Sequence, residues 1–120
     1  MPVDPPRIEV DDPEDLKIVA LARSTRARTQ ALEGACVRDT DGRTYAAATV
    51  DLDSLKLSAA QVAVAMAASS GAPGLEAAAV LGDSIAASEA DLSAVRALGG
   101  GGVRFLVASP DGSVTGSVTT

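Results

Sequence analysis

Ten basic and sixteen acidic side chains, one thiol and no histidine set the chemistry open to this 120-residue chain. Without imidazole there is no Ser-His-Asp triad, no Cys–His nucleophile and no histidine metal ligand. Cys36 is the single cysteine, so it has no disulfide partner and cannot build a Cys-rich zinc site. It reads as a small packed residue rather than a reactive thiol. Hydroxyls and carboxylates remain. Ser58-Ala59-Ala60-Gln61 has the Ser-x-x-Gln form in which a serine caps a helix and the glutamine reaches back; Ser88 to Asp91 has a similar form. Asp51, Asp53, Glu89 and Asp91 are the carboxylates available for acid–base work. First-turn acids offset a helix dipole and strand-end aspartates are solvated, so a structural role is expected for them. Gly99 to Gly102 precede a strand rather than a helix and lack the Lys-Ser/Thr of a phosphate loop. Arg23, Arg26 and Arg28 fall near a helix C-terminus, where cations offset the dipole; an anion contact is the alternative.

Those residues must be positioned by a small core. Apolar residues make up 47% of the chain and the mean hydropathy is +0.21, so a folded domain is expected. Tyr45 and Phe105 are the only aromatics, which leaves Ala, Val and Leu to pack and demands close approach of the elements. A net charge of −6 and a pI near 4.4 argue against nucleic acid. The start lacks the pattern of a signal peptide, and the uncharged run Leu57 to Leu75 is broken by Gln61, Gly71, Pro73 and Gly74. Its helical part spans ~20 Å, short of a ~30 Å hydrocarbon core. No membrane association is expected, and the location is expected to be cytoplasmic.

Residues 1–12 read as a Pro-rich lead and residues 13–120 as a single domain. Asp12 before Pro13 is a helix cap and first-turn proline, starting a helix to about Arg28. "EGACVRD" is a strand, "TDGR" a hairpin turn and "RTYAAATVD" the returning strand. A helix follows from near Ser58 to near Gly71, then a strand over "LEAAAVLGD", a helix over "SEADLSAVRALGG" and a strand over "GVRFLVAS". "SVTGSVTT" is an edge strand or a frayed tail. The second helix is apolar on nearly every face, which predicts burial against the sheet and against a second cover, a partner subunit being one candidate. Arg43 and Tyr45 on the hairpin are expected to pack or to face a neighbouring subunit. The order α-β-β-α-β-α-β implies a sheet with parallel members between helical layers.

"EGACVRDTDGRTYAAATVD" resembles the first hairpin of the cytidine deaminase family, with Gly34, Ala35, Asp41, Gly42, Tyr45 and Val50 matching without a gap. "LKLSAAQVAVAMAASSG" resembles the family's Leu-Thr-Leu-Cys-Ala-Glu-Arg helix. "SEADLSAVRALGGGGVRFLVASPDG" falls where the family has Pro-Cys-x-x-Cys-Arg, a helix, a strand and a Pro-Asp-Gly turn. The resemblance runs from about Asp15 to Gly112. It implies an α/β fold, a three-layer α/β/α sandwich with a mixed sheet of about five strands, and a dimer or tetramer. It also implies hydrolytic deamination of cytidine, in which a bound zinc generates hydroxide and a non-ligand Glu moves protons.

Carried over residue by residue, that chemistry is missing. The first ligand's place holds Ser58 and the Glu's place holds Ala60. The two thiolates fall on Glu89 and Leu92. The polar ribose binders become Thr49 and Asp51, and the aromatic that stacks on the base becomes Ala31. The family's C-terminal helix has no counterpart before Thr120. The expectation is therefore a non-catalytic, cytidine-deaminase-like protein with no cofactor, metal or catalytic residue, acting as an oligomeric binding or interaction module. Its expected partners are copies of itself, with a protein partner or a nucleoside as further possibilities. Two alternatives stay open: a nucleoside or nucleotide sensor using the emptied pocket, and a cytidine deaminase or other hydrolase of unrecognised mechanism. The capping boxes alone would suit any α/β protein.

Overall fold

The computed structural model describes residues 7–83 and 86–120, so half of the proline-rich lead lies outside the described residues. α1 (Pro13–Thr29) starts where the Asp12 carboxylate accepts the Glu14 N–H at 2.9 Å, with proline in the first turn, and ends at Gln30 in a left-handed conformation. β1 (Glu33–Asp39) and β2 (Thr44–Ala48) form the expected hairpin. The Asp39 carboxylate closes its turn by accepting the Tyr45 hydroxyl at 2.8 Å and the N–H groups of Asp41 and Arg43 at 2.9 Å. α2 (Ala59–Ser69), β5 (Leu75–Gly82), α3 (Glu89–Gly99), β6 (Arg104–Ala108) and β7 (Val114–Thr119) follow. Gly100 and Gly102, both at positive φ, make the helix-to-strand connection before β6.

One expectation needs correction. The stretch "RTYAAATVD" is not a continuous strand: the ladder to β1 stops at Ala48, and Val50 begins a separate ribbon. That ribbon pairs β3 (Val50–Leu52) with β4 (Leu55–Leu57). The break sits at Thr49, whose N–H donates to the Glu33 carbonyl at 3.2 Å while its hydroxyl accepts the Glu33 N–H at 3.1 Å. With those groups spent at the start of β1, the chain is released to turn away.

The five-stranded sheet has the order β2-β1-β5-β6-β7, with β5 and β6 parallel and the other pairs antiparallel. "SVTGSVTT" is thus an edge strand. Period-two alternation sends Ala35, Val37, Ala78, Val80, Phe105 and Val107 to the face carrying α2 and α3, and Cys36, Ala77, Ala79, Leu81, Leu106 and Ala108 to the face carrying α1. The result is three layers. α1 lies directly on β1 at Gly34: a Cβ there would overlap the Ala22 carbonyl oxygen and come within 2.9 Å of the Arg26 Cβ. The register also aligns Arg38, Ala77 and Arg104 across three strands. Both guanidiniums reach buried Asp15 in the first turn of α1, at 2.8–3.0 Å, and the Arg38 Nε also donates to Glu76 at 2.8 Å. This pins the helix start to the sheet.

α2 is buried on its sheet side and against α3 through Ala59, Ala60, Ala63, Val64 and Ala67. Ala65, Met66 and Ala68 remain exposed, so the helix is not covered all round within one chain. Among the described residues, no helix is long and apolar enough to cross a membrane.

Candidate functional site

Two helix N-termini meet on one face of the sheet. At α2 the Ser58 Oγ accepts the Gln61 N–H at 3.1 Å while the Gln61 Oε1 accepts the Ser58 N–H at 2.9 Å, a complete capping box. At α3 the Ser88 Oγ accepts the Asp91 N–H at 3.1 Å. The hydroxyl of Ser58 then donates to the Asp91 Oδ1 at 2.5 Å, tying one helix start to the other. A charge-assisted hydrogen bond of this kind is stronger than a neutral one. Asp91 is only 4% exposed.

Ser58, Ser88 and Asp91 line a cavity of about 160 Å³, together with Val80, Phe105 and Val107. Glu33, held by Thr49 at the start of β1, lines the same cavity. Partial burial, and then the negative charge of Asp91, push the Glu33 carboxyl above its usual range. The sequence does not single out Glu33; it marks Ser88 as a helix cap, and Asp91 as a first-turn acid weighed for acid–base work and expected to be structural. The signal available was the i, i+3 spacing of Ser88 and Asp91, which turns a cap and a third-position side chain toward the same end of the helix.

Ser58 is the one residue of the expected pocket set that lines this cavity. Ala60 is 1% exposed in the core beneath it. Thr49 stands behind Glu33 as its backbone partner. Asp51 lies on the β3–β4 ribbon, where it is exposed and paired with Lys56 at 2.6 Å. Glu89 points to solvent near Arg96 at 3.6 Å, and Leu92 packs against the core. Ala31 is half-buried in the turn after α1. Elsewhere, Arg26 donates to the Leu32 carbonyl at 3.0 Å, and Arg26 and Arg28 occupy the last turn of α1, in keeping with the dipole reading.

The family model that matches this chain is described as "Cytidine deaminase-like" and covers residues 11–112. The chain belongs to that family. Solved structures show the same fold. Cytidine deaminase from Burkholderia pseudomallei superposes with a TM-score of 0.75 at 21% identity, covering 86% of this chain and 90% of that one. The enzyme from Mycobacterium leprae gives 0.68 at 20% identity, with the same shares, and that from Mycobacterium tuberculosis 0.67 at 22%, covering 81% and 85%. No curated protein matches the chain.

A zinc ion, which the family resemblance implies, does not fit the side chains present. Zinc sites are built from thiolate, imidazole and carboxylate groups. This cavity offers two hydroxyls and two carboxylates, and among the described residues no group of three or more His, Cys, Asp or Glu could hold a metal. The Ser58 hydroxyl is already engaged both as acceptor and as donor. Cys36 is fully buried on the opposite face of the sheet, where burial raises its thiol to about 11.

Proposed function

We propose that this chain is a non-catalytic member of the cytidine deaminase-like family that works as an oligomeric binding module. The observation that carries the reading is the hydrogen bond from Ser58 to Asp91 at 2.5 Å. Where the resemblance places a metal ligand, a capped hydroxyl closes onto a carboxylate of the neighbouring helix. Where it places a proton-shuttling Glu, the methyl of Ala60 is packed in the core and transfers nothing. Loss of a positioned acid–base group alone costs ~10²–10⁴ in rate. Asp51, the residue whose replacement tests hydrolysis by another route, lies on the exposed ribbon beside Lys56 and does not line the cavity. The cavity is also below the ~300–1,000 Å³ of pockets that enclose drug-sized ligands, and its carboxylates repel phosphate. Both points weigh against a nucleotide sensor.

The binding surface we assign is the exposed side of α2 with the adjoining ribbon, and its occupant is a second copy of this chain. Leu52 and Leu55 are 61% and 50% exposed and Met66 is 40% exposed. No charge occurs from Leu57 to Leu75. The α2 part of this face is uncharged and the ribbon's Asp51 is paired with Lys56, so two chains of net charge −6 meet there with less repulsion than over their acidic surfaces. The test has two readouts on one preparation. Metal analysis and a cytidine deamination assay after incubation with zinc are expected to give neither stoichiometric metal nor ammonia. Light scattering is expected to show an oligomer that Met66→Glu dissociates. Bound zinc with turnover refutes the first half, and a monomer at micromolar concentration refutes the second.

A further inference from the structure

We infer that the groove beside α1 docks an acidic amphipathic helix supplied by another protein. The groove lies between α1 and the β6–β7 turn, on the sheet face opposite the α2 surface, and has a volume of about 470 Å³. Leu16, Ala20, Arg23 and Ala27 form its α1 wall, and Asp111 and Gly112 its far wall. The α1 residues are spaced four, three and four apart, the seam along which one helix packs on another. Ala20 and Ala27 are exposed and small, so a second helix can approach closely, and Leu16 is 48% exposed. At 1.5 Å per residue the seam is about 17 Å long, which matches a partner helix of three turns. Lys17 and Arg28 each follow a seam residue and so flank it.

Charge selects the occupant. Between Leu16 and Leu32 the chain has four cations and no acid, although its net charge is −6. Arg26 is engaged by the Leu32 carbonyl and Asp83. Lys17, Arg23 and Arg28 are exposed, and among the described residues no hydrogen bond or ion pair engages their side chains. Arg28 answers the helix dipole, but Arg23 lies before the last turn. Its stem runs along the far wall, where a Cβ on Gly112 would touch the Arg23 Cδ at 3.6 Å. The Asp111 carboxylate beside it is already taken by the Ser109 hydroxyl at 2.6 Å, the Ser113 N–H at 2.8 Å and Arg7 at 3.6 Å. Carboxylates on the docked helix supply what these three cations lack. A second copy of this chain does not. α2 is uncharged, Glu89 is the one exposed acid of α3 and faces Arg96, and α1 repeats the same cations. A lipid surface fits less well, because the seam is recessed beside a turn and Leu16 is the exposed large apolar side chain it offers for insertion.

The probe is a capped peptide of about fourteen residues, with leucine and alanine at the same spacing and glutamate on the flanks, followed by fluorescence anisotropy and circular dichroism with the full chain. The expected result is binding at roughly tens to hundreds of micromolar with a gain of helix, weakening as salt rises. The same peptide with lysine for glutamate is expected to bind at least about tenfold more weakly. Arg23→Glu combined with Arg28→Glu should weaken the acidic peptide about tenfold or more, and Ala20→Tyr, which fills the groove at constant charge, by a similar factor. Those positions are exposed, and an unchanged Tm verifies that each variant is folded. Arg96→Glu, away from the groove, leaves binding unchanged. Met66→Glu dissociates the oligomer and leaves peptide binding intact, so this inference and the α2 interface fail separately. Equal binding of the two peptides, or an affinity unaltered by Ala20→Tyr, overturns the inference. Phosphatidylserine vesicles that capture a chain indifferent to the peptide overturn it as well.

Discussion

Replacing Ser58 by alanine removes one oxygen that performs two tasks, and the cost follows from both. As a cap it satisfies the Gln61 N–H, a function worth ~1 kcal/mol within a range of about 0.5–2. As a donor it serves a buried carboxylate, and hydrogen bonds to charged groups contribute roughly 1.5–3 kcal/mol. The two values do not add fully, because the cavity beside Asp91 admits water that replaces part of the lost bond. A loss of about 2 kcal/mol is therefore expected. For a chain of 120 residues, one kcal/mol shifts Tm by about 4 °C, so calorimetry should record a drop of about 8 °C. A double-mutant cycle with Asp91→Asn isolates the shared term, expected near 1–2 kcal/mol. If Ser58→Ala costs less than about 0.5 kcal/mol, or the cycle shows no coupling, the two helix ends are not joined in solution and the account of the site fails.

Gly34→Ala forces α1 away from β1, and overpacking of this kind costs at least 1–3 kcal/mol in urea unfolding; a neutral result refutes the helix placement. Burial raises the Asp39 carboxyl, but hydrogen bonds from Tyr45 and from the Arg43 and Asp41 N–H groups outweigh it, so the folded value lies below the ordinary one. Its stabilisation is complete above about pH 4 and is lost as pH falls through the folded value, so Asp39→Asn should flatten the acid limb of the stability–pH profile. An unchanged limb assigns the acid sensitivity elsewhere. The Cys36 thiol, raised to about 11, should react with a disulfide reagent at pH 8 only as fast as the protein opens, and in urea should release one equivalent. Rapid labelling of the native state contradicts its burial. Thiolates introduced together at Ser58, Ser88 and Asp91 should bind zinc, whereas the set at Ser58, Glu89 and Leu92 should not; the reverse outcome would place the cavity on the wrong side of α3.

Much of the architecture is legible in the chain because its signals are local. Asp12-Pro13, Asp41-Gly42, the uncharged run after Ser58 and the glycines after Leu98 each mark an element boundary within a few residues, and the elements appear at those places. The ribbon β3–β4 was not legible, because its boundary depends on Thr49 meeting Glu33, a residue 16 positions earlier. The same holds for Arg38 and Arg104. Nothing near either residue announces that both will close on Asp15, since that requires three strands in register under one helix.

At the site, the capping box of Ser58 and Gln61 follows from residues three apart and could be read directly. Linear carry-over pointed to Glu89 and Leu92, whereas the turn of α3 directs Ser88 and Asp91 to the cavity. The amino-acid types alone settle that imidazole is absent and that one thiol is all the chain possesses, because composition is indifferent to folding. Which carboxylates share a cavity is a matter of distance across the sheet, and only the packing of α2 and α3 over β1, β5 and β6 brings Glu33, Ser58 and Asp91 together.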